Sequence, residues 1–285
     1  MFFEYDIHVV LNVLRRGLLP ALILLLGTAC AVQPKPGALS VSLPAARPGW
    51  DLVWSDEFDK DGSPDPARWG PEVGMIRNNE LQYYTKGRAE NARIEGGNLV
   101  IEARKEPYEK AGYTSASLTT AGLASWTYGR IEARAKLPGG RGTWPAIWML
   151  GNAIDKVGWP VCGEIDIMEH VGFDPDKIHC TVHTAAYNHV KGTQRGSTLD
   201  TKAPFDGFHV YATEWTEGAI TFFFDDRVVF TFTKEGSGKD VWRVWRFDGA
   251  DERQRSKWSH DEIETFERLD GGMPGDRDGG PRLKD

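Results

Sequence analysis

Residues 161–170 read VCGEIDIMEH, and the reading of this stretch decides the fold. Glu164, Asp166 and Glu169 are separated only by Ile165, Ile167 and Met168. Side chains on a strand alternate faces with a period of two, so Glu164 and Asp166 share a face. Glu169 would fall on the other face of a regular strand. One extra residue, a β-bulge at Ile167–Met168, brings all three acids onto one side. Ile165 and one member of the bulge pair then point into a core.

Neighbouring like charges destabilise a strand face, so such a row points to chemistry rather than to stability. Retaining glycoside hydrolysis needs two carboxyl groups about 5–5.5 Å apart, one nucleophilic and one protonated. A third acid between them can hold and tune the protonation of its neighbours. The plain alternative is a solvated charged face, but solvated faces rarely adjoin so many aromatics. Trp144 and Trp148, in GTWPAIWML, are four apart and share a face if that segment is a strand. Indole rings stack on the C–H faces of sugars, which suits a polysaccharide cleft; core tryptophan is the other reading. His179 and His183 are also four apart, but IHCTVHT reads as a strand. Ligands at that spacing on a strand lie about 13 Å apart, so no metal site is expected there.

Outward from this centre, short β-type runs alternate with turn clusters. NLVIEARKE, YGRIEARAKL and AITFFFDDRVVFTFT alternate apolar and polar residues. The last reads as a hairpin with Asp225-Asp226 at its tip. The pattern predicts one all-β domain, a two-sheet antiparallel sandwich, over residues 50–242. The formal net charge of −7 gives no reason to expect nucleic-acid binding. Cys162 and Cys180 are not expected to pair. A hairpin across FDPDK sets Cys180 opposite Ile167–Met168, with Cys162 about 15–20 Å further along at strand rise, whereas a disulfide needs Cα atoms within about 7 Å.

The ends differ from the middle. Arg15 and Arg16 precede GLLPALILLLGTACA, so residues 1–31 read as an export signal. The apolar run falls short of the roughly 20 residues of a membrane span. GTAC resembles a lipoprotein box with Cys30 as the candidate acylated residue, while ACA offers plain cleavage after Ala31. Residues 32–49 are rich in Pro, Ala and Ser and read as a flexible linker. Residues 243–285 form a charged tail with a composition leaning to disorder. SHDEIETFERL within it suggests a short helix capped by Ser259, and does not read as strand.

WSDEFD, NNELQYYT, YTSASLTT, YGRIEARAKLPGGRGTWPAIWML, GWPVCGEIDIMEHVG and FHVYATEWTEGAITFFFDD together resemble glycoside hydrolase family 16. The chain resembles the bacterial β-1,3-glucanases (laminarinases) of the family, and the spacing of its acid motif is similar to that of laminarinases and agarases rather than lichenases. The resemblance implies a concanavalin-like β-jelly roll with an open cleft. Carried over by position, it implies that Glu164 is the nucleophile, Glu169 the general acid/base and Asp166 the assisting acid. It implies that Trp144, Trp148, His183, Arg130 and Asn79 line the sugar subsites. A satisfied strand histidine remains the other reading of His183. No cofactor is implied, and calcium, which the family holds with an acid of its final strand, is not expected here.

The tail departs from the family, whose members continue with an apolar strand, a Gly-Gly turn and a last strand. The sandwich is therefore expected to lack its last strands. The hypothesis is a reading-frame slip near Trp242–Arg246; an intact frame on resequencing, with no homologous strand out of frame, would remove it. The expected protein is a secreted or cell-envelope monomer acting on β-glucan, touching membrane only through a lipid anchor. Two alternatives stand beside it: a family-16 hydrolase of another polysaccharide, and a non-catalytic truncated glucan binder or pseudogene product.

Overall fold

The structure, a computed structural model, describes residues 8–13, 50–201, 206–235 and 261–264. In chain order its strands are β1 (His8–Val13), β2 (Asp51–Asp56), β3 (Gly70–Pro71), β4 (Gln82–Tyr84), β5 (Ala92–Glu95) and β6 (Asn98–Ile101). There follow β7 (Arg104–Tyr108), β8 (Ala111–Ser115), β9 (Ser117–Thr119), β10 (Gly129–Ala135), β11 (Ala146–Leu150) and β12 (Glu164–His170). The last are β13 (Lys177–His183), β14 (Arg195–Asp200), β15 (His209–Trp215), β16 (Ala219–Phe224), β17 (Arg227–Thr233) and β18 (Asp261–Glu264). The helix Ile154–Val157 interrupts the loop before β12.

Two antiparallel sheets make the sandwich. One is ordered β17-β16-β15-β10-β1-β2, the other β14-β13-β12-β11-β18-β9-β3. The smaller sheet β4-β8-β7 and the hairpin β5-β6 flank them. The core lies between the facing sheets. Ile131, Ala133, Tyr211, Trp215, Ile220 and Phe222 come from the first; Ile147, Met149, Ile165, Ile167, Met168, Ile178 and Val182 come from the second. Burying each large apolar side chain contributes about 1.5–3 kcal/mol. The expected all-β jelly-roll sandwich is what forms. The hairpin tip is also as read: Asp225 and Asp226 have φ of 46° and 61°, as a two-residue type I′ turn demands.

One expectation about the tail is corrected, and a segment near the start also pairs in a sheet. Asp261–Glu264, read as part of a short helix in an unstructured tail, is a strand between β11 and β9. His8–Val13, inside the segment read as leader, is a strand between β10 and β2. Each fills an interior slot, where the N–H and C=O groups of both neighbours would otherwise lack partners. HVVLNV is rich in Val, which suits a strand. The apolar run with Cys30, the linker 32–49 and the rest of the tail lie outside the described residues.

Candidate active site

The acid row lies on β12, and the bulge lies where its spacing requires it. β11 pairs Ile147 with Met168 and then Trp148 with Asp166, passing over Ile167. β13 pairs Thr181 with Asp166 and then His179 with Glu169. Ile165, Ile167 and Met168 are all buried in the core, so both members of the bulge pair point inward, not one. The carbonyl of Ile167, displaced from the ladder, accepts a hydrogen bond from the Cys180 Sγ–H at 3.3 Å. Cys180 sits opposite the bulge as the register argument places it, and both Cys162 and Cys180 are free and buried.

On the other side of the strand the three carboxyls meet. Trp144 Nε1–H donates to Glu169 Oε1 at 3.1 Å. His183, the register partner of Glu164, places Nε2 3.3 Å from Asp166 Oδ2 and 3.8 Å from Glu164 Oε1. Glu164 and Asp166 are linked by a side-chain hydrogen bond. The loop bearing Trp144 is clamped to this strand. Gly172 N–H donates to Thr143 O at 2.8 Å and His170 N–H to Pro145 O at 3.1 Å. Any Cβ on Gly172 would collide with the carbonyl oxygen of Gly140, so the close approach requires glycine.

Electrostatics follow from crowding. Burial first, then the charge of Asp166, push Glu164 well above the usual carboxylate range. Burial, then Glu169, do the same to Asp166. Burial also raises Glu169, opposed by His183 and the Trp144 hydrogen bond. The row therefore holds protons at pH values where an exposed row would have lost them. Asp166 and Glu169 titrate as a coupled pair, while a hydrogen-bonded proton lies between Asp166 and Glu164. Nucleophilic chemistry requires the microstate with that proton on Asp166, leaving Glu164 ionised, while Glu169 keeps its own.

The rest of the chain fits the same chemistry. The family model for glycosyl hydrolases family 16 matches residues 79–245. The chain belongs to glycoside hydrolase family 16. A β-glucanase from Rhodothermus marinus is 57% identical over 207 residues, 70% of this chain and 72% of that protein. The X-ray structure of the laminarinase from Rhodothermus marinus aligns with a TM-score of 0.66 at 48% identity, covering 77% of this chain and 98% of that one. A mutant of SCLam, a non-specific endo-β-1,3(4)-glucanase of the family, was crystallised with 1,3-β-D-cellobiosyl-glucose at its active site. It aligns with a TM-score of 0.69 at 40% identity, covering 76% of this chain and 84% of that one.

Of the residues the family-16 resemblance assigns to sugar subsites, Trp144, Trp148 and His183 adjoin the acids. Trp144 precedes β11 rather than lying on it, and reaches Glu169 through its loop. Asn79 is exposed in a turn where it and Asn78 have φ of 54° and 49°, a left-handed conformation that asparagine tolerates. Arg130 is a correction. Its neighbours Ile131 and Ala133 face the core, so Arg130 lies on the far face of the other sheet. There it is bound by Glu132, Glu214 and Asp226, each with a carboxylate oxygen within 3.0 Å.

Trp159 and His189 went unread in the sequence. Their rings stack at 4.7 Å, and both lie against His183, at 5.7 and 5.3 Å. The available signal was GWP just before the acid strand. His189 carries no local signal, because a loop returns it to the site. Glu164, Asp166 and His183 also place ligand atoms within 4.8 Å of one another. Two carboxylates and an imidazole fall short of the 6–8 oxygens calcium takes, so this cluster does not fit that ion.

Proposed function

We propose that this chain hydrolyses internal β-1,3-glucosidic bonds of laminarin-type glucans by a retaining double displacement. The observation that carries the reading is the bulge that sets Glu169 on the same face as Glu164 and Asp166, with Trp144 holding Glu169. Glu164 attacks the anomeric carbon and forms a glycosyl–enzyme ester as Glu169 protonates the leaving oxygen. Glu169, now a carboxylate, deprotonates the water that cleaves the ester. Asp166 holds the shared proton off Glu164, and its hydrogen bond keeps the nucleophile's orientation.

The test is reducing-sugar release from laminarin by the purified protein, with product anomers followed by proton NMR. β-Anomer appearing first is expected; inverted products first would overturn the mechanism, and no release at all the function. The mutant structure with a mixed-linkage trisaccharide belongs to a non-specific endo-β-1,3(4)-glucanase, which favours a second reading that includes mixed-linkage glucan. Lichenan in the same assay decides between them.

The protein is further proposed to work outside the cytoplasm as a monomer, with no required cofactor. The support is Arg15-Arg16 followed by the apolar run, with Cys30 as an anchor point. Among the described residues no helix is long and apolar enough to cross a membrane. Globomycin-sensitive labelling of the expressed chain with a radioactive fatty acid tests the anchor; labelling that survives Cys30→Ala would exclude that site.

A further inference from the structure

Trp148 stands beside the acid row without the usual tether. Its Cα pairs with that of Asp166, it is half-buried, and its Nε1–H is buried without a hydrogen-bond partner among the described residues. A buried indole N–H usually finds one. What meets the ring instead is Arg77, whose guanidinium carbon is 5.4 Å from the Trp148 centroid. The same carbon is 5.6 Å from the centroid of Tyr84. Tyr84 is fully buried, and its hydroxyl donates to Glu80 Oε2 at 3.0 Å while accepting from Gln82 Nε2 at 2.8 Å. Arg77 is also ion-paired through Nη2 to Glu72 Oε2, and that oxygen accepts from Ser117 Oγ at 2.6 Å. The Glu72 backbone N–H donates to Ser117 O at 3.0 Å, tying the assembly to β9.

We propose that Arg77 is a positioning, specificity-determining residue, whose guanidinium between Tyr84 and Trp148 fixes the Trp148 ring as the platform on which a glucan unit stacks beside the acid row. This rests on the glucan-hydrolase reading above. A planar, weakly hydrated guanidinium stacks on rings in a way a lysine ammonium cannot reproduce. Glu72 and Ser117 hold the cation in place, so the ring is presented in one orientation before sugar arrives. That saves the ordering cost a free indole would incur on binding. The effect belongs to binding of ground state and transition state alike, and so should appear in KM rather than in kcat.

Arg77→Met, Arg77→Lys, Trp148→Ala and the double variant Arg77→Met/Trp148→Ala are compared on laminarin, with circular dichroism to confirm folding. Arg77→Met is expected to raise KM about tenfold with kcat changed less than about twofold. Trp148→Ala should raise KM at least as much, and the double variant no further, because the two act as one unit. Wild-type KM in folded Arg77→Met, or fully additive effects, would overturn the proposal. Should Arg77→Met not fold, Arg77→Lys keeps the charge toward Glu72 and loses the planar stack; a KM rise supports the proposal and a wild-type KM overturns it.

Binding separates this inference from the function it rests on. In the Glu164→Gln background, laminarihexaose affinity measured by calorimetry should weaken about tenfold on Arg77→Met. No laminarihexaose binding in that background overturns the platform. Binding that weakens as stated, with no hydrolysis by the wild type, supports the platform and overturns only the hydrolytic function.

Discussion

On the outer face of the six-stranded sheet, Arg130 is 1% exposed and meets Glu132, Glu214 and Asp226 at 2.8, 3.0 and 3.0 Å. On the outer face of the seven-stranded sheet, Glu164, Asp166 and Glu169 crowd together, with His183 Nε2 3.3 Å from Asp166 and 3.8 Å from Glu164. Both clusters are carboxylate-rich; the first buries its cation but leaves Glu214 and Asp226 partly exposed, whereas the second buries its carboxyls. The first has a permanent guanidinium at its centre, and the Phe223 ring lies 4.8 Å from its guanidinium carbon. The second is relieved by retained protons. A buried charge that is paired and hydrogen-bonded can be explained by the fold alone. A buried row that must keep protons to exist weakens the fold, and is explained by what those protons can do.

Substitution should separate the two clusters cleanly. Glu164→Gln removes the proposed nucleophile and one source of repulsion. Turnover on laminarin should fall by on the order of 10⁴-fold or more, while the melting temperature stays level or rises. Near-normal turnover would reject the nucleophile assignment and with it the contrast.

Arg130→Met should do the reverse. It leaves three carboxylates around a lost cation, but Glu214 and Asp226 are partly exposed, so the lost hydrogen bonds to a charged group should cost about 1.5–3 kcal/mol of stability. Denaturant unfolding should show that loss, while kcat and KM of the folded fraction stay at wild-type values. A raised KM with unchanged stability would return Arg130 to the sugar site, where the family resemblance had put it.

Much of this contrast was readable in the sequence, and the unread part has a physical cause. The period-two rule with one bulge located Glu164, Asp166 and Glu169, because strand alternation is local. It did not say that both Ile167 and Met168 turn inward. Arg130 was carried to the sugar site by the family resemblance alone; YGRIEARAKL alternates cleanly on either sheet, and its pairing with β15 decides which. His189 reaches the site from the short 3-10 helix His189–Lys191 and Arg77 from a loop, and such a return is not a property of any local pattern. β18 was misread because the Ser259–Glu262 cap signature favours a helix locally, whereas the slot between β11 and β9 demands a strand.

Asp166→Asn tests the proton argument at intermediate size. Turnover should drop about 10²-fold, since the proton shared with Glu164 loses its holder. The sign for stability follows from the raised carboxyls. The folded state binds more protons than the unfolded one above the ordinary carboxylate value near 4, so stability falls as pH climbs from there through the raised folded-state values. The contribution is fully present below that window. Removing one member should flatten the fall of melting temperature with pH. An unchanged slope would mean that the three acids do not share the burden that distinguishes them from the Arg130 cluster.

The smallest effect concerns the bulge that makes the contrast possible. Ile167 has no Cα partner on β11 or β13, so its carbonyl leaves the ladder, and Cys180 Sγ–H supplies its hydrogen bond. Burial, with Asp166 and Glu169 adding to it, raises the Cys180 thiol and keeps it a protonated donor; burial pushes Cys162 up to about 12. Cys180→Ala should cost about 1–3 kcal/mol, the usual penalty for orphaning a buried acceptor, and lower kcat less than about tenfold through looser placement of Glu169. Cys180→Ser keeps a donor and should lose less of both. Equal losses in the two variants would assign the effect to packing rather than to the bulge carbonyl. The native thiols should resist a disulfide reagent at pH 8, and both should react once the unreduced protein is denatured. A peptide linked through Cys162 and Cys180 would require another register for β13, and would take Glu169 away from Glu164.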